Sequence, residues 1–484
     1  MSVKARTFKS TTLLSTLFAC SLLGLGQSKI TNTGADVTWV VLVLIVVLIT
    51  YKKRTVPALF SMALLGILVG SWRGGEFLQR VEPYTSLAGQ VVKVQVRAET
   101  SAVYGKSAQL EFEASAVEFV DPIQQKMPGK MVISGFGTNS ILRGDIVTAE
   151  GKMYQRRGSK QAGISYAKIA VVERSSSVLE KVRRDFMAGL ATALPEPHDQ
   201  FAAGLLVGQR SEMPSGVTET LRIVGLSHII AVSGYNLTIM AELARKRFGK
   251  KSQFKKAFFS VCFVLAFVAL AGSSASIARA AFVSLLTIIA GYYGKNIKPH
   301  VILLLAASLT ALMNPLNVWN DIGWYLSFLA FFGVLIIAPA VTGRLYKKEP
   351  KLIGKLIIET SSAQLATLPL ILFLFGDLSV VSLLANMLIV PLVPLAMLLS
   401  FIAGVAGMVL PEFALLLGFP ARLLMDVMLG ISSLVASIPN ALIKINLSVW
   451  QMLGCYAGVV MILIVLHNKS KNKPPTVPEA SPVV

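Results

Sequence analysis

The stretch HIIAVSGYNLTIM at residues 228–240 sets side chains that could do chemistry among apolar neighbours. A nucleophilic serine at Ser233 would need a general base within hydrogen-bond reach. His228 lies five residues earlier, which places it badly if the segment is a regular helix, and His300 is distant in sequence. An intramembrane hydrolase therefore stays an alternative. The pattern favours a polar bend that lines a water-filled path, formed by Ser233, Gly234, Tyr235 and Asn236.

Other polar residues lie inside apolar segments further along the chain. Burial of an amide or a charge in a bilayer is costly, so such residues usually face the interior of a helix bundle. Arg279 is either a fixed cation beside the path of an anion or a snorkelling or paired structural arginine near a span end. Gln364 and Thr367 either line the path or form hydrogen bonds between helices. The candidate lining residues are His228, Ser233, Gly234, Tyr235, Asn236, Arg279, Gln364, Thr367, Asn386 and Pro391.

Composition indicates a membrane protein. Of the 484 residues, 54% are hydrophobic and 15% are charged, whereas soluble domains carry roughly 25% charged residues. The net charge of +21 fits an anionic partner such as nucleic acid. The Lys- and Arg-rich cytoplasmic loops of a membrane protein are expected to account for most of it. The sequence shows no nucleotide-binding loop and no metal-ligand spacing, so we predict neither a cofactor nor a metal site.

The apolar segments predict about twelve spans, with both termini in the cytoplasm. Residues 1–72 hold the first three, and basic residues before the first and after the second place residue 73 outside. Basic loops at 244–256 and 343–355 mark the cytoplasmic side of the later segments. The later segments lie near 226–244, 257–272, 276–293, 300–313, 321–341, 356–375, 379–410, 413–437 and 448–466.

The segment 379–410 is too long for a plain span. Pro391 and Pro394 lie in its middle, and proline removes a backbone donor. We therefore predict one crossing by a broken helix. On the next segment, Arg422 and Asp426 stand four residues apart and are predicted to pair on one helix.

Residues 73–175 differ in kind from the apolar segments. Alternating runs near 91–99, 108–120, 130–137, 145–155 and 164–173 are separated by turn residues, which predicts five strands. Five short strands suit a small closed barrel of the OB type. Residues 176–219 are predicted to form amphipathic helices at the membrane interface, and 468–484 a disordered cytoplasmic tail.

The predicted barrel carries a basic stretch, KMYQRRGSK. A basic track with aromatic stacking faces is what single-stranded DNA binding needs, although the same residues also suit a solvated loop. Aromatic residues near in sequence are Tyr104, Phe112, Phe136 and Tyr166. The candidate DNA-binding residues are Lys152, Tyr154, Arg156, Arg157 and Lys160.

The stretch 228–240 resembles the signature of the ComEC/Rec2 family, the competence DNA-uptake channels of bacterial inner membranes. His228, Ala231, Ser233 and Gly234 match the family pattern, while Tyr235 and Asn236 replace its usual Leu-His. Three further motifs occur in the family's order: ASIARAAFV, DIGWYLSFLAFFGVL, and SAQLATLPLILFLFGDLSVVSLLANMLIVPLVPL.

The resemblance implies a polytopic α-helical membrane protein with an extracellular OB-like β-domain after the third span, and a competence membrane domain over 220–467. It implies passage of single-stranded DNA across the inner membrane in natural transformation. Expected partners are membrane lipids and a separate DNA receptor, nuclease, and cytoplasmic helicase or single-strand-binding protein. The family's nuclease-domain pattern HxHxDH is absent from the sequence, so we expect no enzymatic activity. A secondary transporter of another anionic or lipid substrate is the alternative from a different class.

Overall fold

The computed structural model describes the chain with a few gaps, the largest of which covers 231–252 and so includes most of the signature stretch. The described residues are 7–104, 109–137, 141–156, 158, 160–208, 213–230, 253–271, 275–294, 298–346, 350 and 352–470. Contacts divide the chain into two compact units. One comprises Met1–Lys181 with Leu304–Tyr325, and the other comprises Val182–Leu303 with Leu326–Val484.

The first unit begins with three helices, α1 (Ser10–Thr31), α2 (Val37–Thr50) and α3 (Val56–Ser86). Helices α1 and α3 approach closely because α3 carries glycines at four-residue spacing. A Cβ at Gly70 would lie 2.1 Å from the Ser21 carbonyl oxygen, so a larger residue would force the helices apart. The α1 side chain of Ser21 also shares a 2.6 Å hydrogen bond with Ser308.

The sheet follows α3 directly and contains the five predicted strands. Two short strands add to them. The strands are β1 (Val91–Ala98), β2 (Val103–Tyr104), β3 (Leu110–Asp121), β4 (Gln125–Met127), β5 (Met131–Gly137), β6 (Ile146–Gln155) and β7 (Ala162–Glu173).

The five long strands pair in a closed cycle. The order is β1–β6–β7–β5–β3 and back to β1, and every pairing is antiparallel except β5 with β7. Alternate residues point inward, as in β1, where Val92, Val94 and Val96 are buried. The inward residues form one hydrophobic core that also contains Phe112 and Phe119.

The helices after the sheet make up most of the remaining chain. In chain order they are α4 (Val178–Ala193), α5 (His198–Val207), α6 (Ser215–Ile223), α7 (Ser227–Ile230), α8 (Gln253–Ala271), α9 (Ala275–Tyr292), α10 (Pro299–Met313), α11 (Leu316–Asn320), α12 (Ile322–Phe332), α13 (Ala338–Leu345), α14 (Leu352–Leu374), α15 (Ser382–Ile389), α16 (Val393–Val409), α17 (Ala414–Ala436) and α18 (Val449–Ser470). Two short strands, β8 (Asp377–Ser379) and β9 (Leu442–Lys444), pair with each other.

Within the described residues, six helical stretches are long and apolar enough to cross a membrane. This finding agrees with a multi-pass membrane protein and is compatible with a larger number of spans. The six stretches are Ser10–Thr31, Val56–Ser86, Ile322–Leu345, Gly354–Leu374, Ser382–Val409 and Pro411–Ala436. Shorter apolar helices are Arg279–Tyr292, Pro299–Met313 and Val449–Ile464.

The stretch Ser382–Val409 is broken, as the prolines predicted. A turn of 3₁₀-helix over Val390–Leu392 separates α15 from α16, and Pro391 lies within it. Proline at this point withholds a backbone donor from the α-helical ladder.

Helix α5 requires a correction to the expectation for 176–219. Its residues from Phe201 to Val207 are all buried, in the hydrophobic core of the second unit, against α16 and α17. A helix buried on all sides cannot lie on a membrane surface. Helix α4, in contrast, is amphipathic, and its buried residues Phe186, Gly189, Leu190 and Ala193 recur at helical spacing.

Candidate functional site

Strand β6 presents two of the predicted DNA-binding residues to solvent. Lys152 and Tyr154 are exposed on either side of Met153, which is buried in the core of the sheet domain. The Tyr154 ring lies across Gly163 on β7, since a Cβ there would be 2.5 Å from the ring. One face of this tyrosine is therefore covered, and the other faces outward.

The cations in the loop after β6 are less available to a DNA phosphate than the sequence suggests. Arg156 contacts Glu111 at 3.2 Å, and Lys160 contacts Glu113 at 2.5 Å. Both glutamates lie on β3, more than forty residues earlier in the chain. Exposed ion pairs of this kind contribute about 0–1 kcal/mol to stability, and the carboxylates reduce the positive field that a phosphate would meet. Arg157 lies outside the described residues.

The aromatic candidates divide into core and surface. Phe112 is 2% exposed and belongs to the core, which removes it as a stacking residue. Phe136 and Tyr166 are largely exposed, on the neighbouring strands β5 and β7. Lys168, also exposed on β7, was not singled out from the sequence, although the alternation in ISYAKIAVVE places it on an outward position.

In the second unit the structure joins two of the predicted lining residues through Ser382. Gln364 Nε2 on α14 donates to Ser382 Oγ at 3.0 Å. Asn386 Nδ2 donates to the Ser382 carbonyl oxygen at 2.7 Å. We call Gln364, Ser382 and Asn386 the bundle cluster. It contains amides and a hydroxyl and no ionised group, and Asn386 is buried.

The turn that precedes His228 packs on the bundle cluster. Gly225 has a φ of +72°, and a Cβ there would lie 2.6 Å from Ser382 Cβ. Only glycine combines this backbone conformation with so close an approach. The imidazole of His228 lies 3.1 Å from the Gly225 carbonyl oxygen. The signature stretch therefore begins beside the bundle cluster. The rest of its candidates, Ser233, Gly234, Tyr235 and Asn236, lie outside the described residues.

The remaining lining candidates have separate surroundings. Thr367 bonds back to the Ala363 carbonyl oxygen of its own helix, an ordinary threonine contact inside a helix. Pro391 is exposed, so its side chain does not face the core. Arg279 is 4% exposed and lies on α9 between buried apolar residues, which does not fit a snorkelling arginine at a span end.

Two groups of charged residues connect elements within the second unit. The predicted pair of Arg422 and Asp426 is confirmed, at 3.8 Å on α17. Sequence spacing could not show that Asp426 also bonds His198 on α5, with Oδ1 2.7 Å from Nε2. His198 is buried, and its Nδ1 has no hydrogen-bond partner among the described residues.

The second group joins α6 to β8. Arg222 bonds Glu219 on its own helix at 2.8 Å and also bonds Asp377. The hydrogen bond from Arg222 lowers the pKa of the Glu219 carboxyl. This contact fixes the helix that leads through Gly225 into the signature stretch. Across the part of the chain that the structure describes, no cluster of His, Cys, Asp or Glu has the arrangement of a metal site.

Comparison with known proteins identifies the family. Residues 205–469 match the model of the competence protein family, and this range contains the bundle cluster. The chain belongs to the competence protein family. Over 227 residues it is 25% identical to ComE operon protein 3 of Bacillus subtilis (strain 168). The aligned part is 46% of this chain and 28% of that relative. No solved structure matches the chain.

The family assignment confirms the resemblance seen in the signature stretch and the three later motifs. The matched range of this competence family member begins within α5 and ends within α18. The sheet domain lies outside that range, so its role rests on its own surface.

Proposed function

We propose that this chain is a channel that passes single-stranded DNA across the cytoplasmic membrane during natural transformation. The observation that carries the proposal is the match to the competence protein family over a range rich in long apolar helices. The relative from Bacillus subtilis is named ComE operon protein 3 and aligns with 46% of this chain.

The proposed topology has about twelve spans and both termini in the cytoplasm. The basic loops along the chain, such as 244–256 and 343–355, support this topology, because the positive-inside rule assigns them to the cytoplasm. The sheet domain between α3 and α4 then lies outside the cytoplasmic membrane, where incoming DNA arrives.

The sheet domain is proposed to be a small OB-type barrel. The closed cycle of five strands supports this, because each long strand has two neighbours and no long strand is left as an edge. The single parallel pairing, β5 with β7, shows that the chain does not simply meander around the cycle.

The bundle cluster is proposed to lie on the wall of the path, with Arg279 and the signature stretch. Amide and hydroxyl groups can bond phosphates or bases without holding them as a strong fixed charge would. Conduction requires binding that is favourable enough for entry and weak enough for exit. The proposed role of the chain is passage without catalysis, and a separate receptor, nuclease, and helicase or single-strand-binding protein act before and after it.

Uptake of labelled DNA tests the function. Cells that lack this chain are compared with the same cells complemented by the wild-type chain, and nuclease-protected label is measured in the cytoplasm. The proposal predicts that uptake depends on the chain while binding of DNA to the cell surface does not. Equal protected label in the two strains would refute it. Loss of uptake by Ser233→Ala alone would favour the hydrolase instead.

A further inference from the structure

Two aromatic rings face outward from adjacent strands of the sheet domain. Phe136 on β5 is 51% exposed, and Tyr166 on β7 is 71% exposed. The strands are parallel neighbours in which Gly135 pairs with Ala167 and Phe136 with Lys168. The two rings therefore project from neighbouring strands onto one surface, in a domain whose other large apolar side chains mostly fill the core.

The backbone of β7 is distorted where it presents Tyr166. Between Ile164 and Ala167 the strand carries one residue more than β5, and a second register shift occurs at the same place against β6. This is a β-bulge, a feature that redirects a side chain. Tyr166 has a φ of +52°, a left-handed conformation that is unfavourable for a bulky residue. Strain of this kind persists where the surrounding structure enforces it, and it is concentrated at functional sites.

Two lysines lie beside these rings on the same outward face. Lys168 pairs with Phe136 across β5 and β7, and Lys152 pairs with Ser165 across β6 and β7. Both lysines are exposed, and neither forms an ion pair with any residue that the structure describes. The acidic neighbour on this face is Glu150, which is opposite Lys168 in the register.

The loop cations differ from these lysines in one respect. Arg156 and Lys160 already contact carboxylates of β3, so a phosphate would have to displace Glu111 or Glu113. Lys152 and Lys168 form no such ion pair with a residue that the structure describes, although Glu150 lies opposite Lys168 in the register. The free positive charge and the free ring faces therefore coincide on β5, β6 and β7, and not in the loop.

We propose that Phe136, Tyr166, Lys152 and Lys168, here called the sheet face, form a binding site for single-stranded DNA. Bases stack on the two rings, and the lysines contact the phosphates. The proposal rests on the proposed function, because it is DNA uptake that brings a single strand to this domain. Stacking tolerates any base, so the site takes DNA without sequence preference.

The test measures binding of a fluorescent single-stranded oligonucleotide to the full chain in nanodiscs. Tyr166→Ala and Phe136→Ala are each expected to raise Kd about tenfold, while Tyr166→Phe retains the ring and keeps the wild-type affinity. Lys152→Gln with Lys168→Gln should weaken binding and reduce its dependence on salt. Lys126→Gln is the matched charge control, since Lys126 is exposed on β4 and lies 3.8 Å from Glu118.

Three outcomes are decisive against the sheet face. Unchanged affinity in all four substitutions of the sheet face would overturn it. A larger loss from Arg156→Gln with Lys160→Gln than from the lysine pair would place the site in the loop. Effects that appear only in anionic nanodiscs and not in neutral ones would show a membrane contact in place of a DNA site. In each case DNA uptake could still require the chain. The proposed function is therefore tested separately, by the uptake of labelled DNA into cells.

Discussion

The sheet face and the bundle cluster present polar groups in opposite ways. The sheet face exposes two lysines and two rings to solvent. The bundle cluster half-buries Gln364, buries Asn386, and joins both to Ser382 by hydrogen bonds. Exposed charge attracts a polyanion over a distance and stacking holds it, whereas neutral amides offer weak bonds at close range. Under the proposed function, this difference separates a surface suited to capture from a lining suited to passage.

The largest expected effect comes from the bundle cluster. Asn386→Leu removes the amide that bonds Ser382 and places an apolar side chain on the proposed wall, so maximal DNA uptake should fall by about tenfold or more. Protected label is measured at saturating DNA, with membrane expression checked by immunoblot. Met387→Leu is the control, because Met387 adjoins Asn386 and is exposed. A variant that expresses normally and takes up DNA at the wild-type rate would remove Asn386 from the path.

Asp426 tests whether charge within the bundle has a structural role. Asp426→Leu removes the acceptor of the buried His198 imidazole, so the free energy of unfolding should fall by about 1–3 kcal/mol. Asp426→Asn keeps an acceptor and should cost less. Thermal unfolding in detergent measures both. The opposite result is that the two variants are equally stable while Asp426→Leu abolishes DNA uptake. That result would contradict the proposal that neutral groups line the path and that Asp426 only stabilises the fold.

Ionic strength should affect the two regions differently. Each lysine that contacts a phosphate of a single strand contributes about 0.7 to the slope of log affinity against log salt. Lys152→Gln with Lys168→Gln should therefore flatten that slope by about 1.4. Asn386→Leu should leave the slope as it is in the wild type. Binding titrations at four salt concentrations give both values, and equal slopes in the wild type and the lysine variant would show that these lysines touch no phosphate.

The smallest effect concerns the contact that holds α6. Because the pKa of Glu219 is lowered in the folded chain, its stabilisation is present at neutral pH and is lost as pH falls through the lowered value. Glu219→Gln should lower Tm by less than about 2 °C at pH 7, since the pair is exposed. The difference from wild type should disappear in acid, as pH falls through the lowered pKa and the wild-type carboxyl is also protonated. A difference that persists in acid would have another cause.

Much of the fold follows from local patterns in the sequence. Period-two alternation predicted the five long strands, and Pro391 predicted the break between α15 and α16. The spacing of Arg422 and Asp426 predicted a pair on one helix face. These features depend on residues that are close in the chain.

The rest depends on contacts between distant residues, which local patterns do not encode. The loop cations Arg156 and Lys160 find their carboxylates on β3, and His198 finds Asp426 across 228 residues. Helix α5 was expected at a membrane interface because the segment 176–219 has an amphipathic pattern, but apolar neighbours enclose the helix. The bulge at Tyr166 arises from two strand registers at once, and neither is visible in a single run of sequence.

The most direct test of capture and passage measures initial uptake rate against DNA concentration for three chains. They are the wild type, the sheet-face variant Tyr166→Ala with Lys152→Gln and Lys168→Gln, and the bundle variant Asn386→Leu. The account predicts that the sheet-face variant needs more DNA for half-maximal uptake and reaches the wild-type maximum. The bundle variant should keep the wild-type half-maximal concentration and reach a lower maximum. The opposite assignment, or the same change in both variants, would contradict the account.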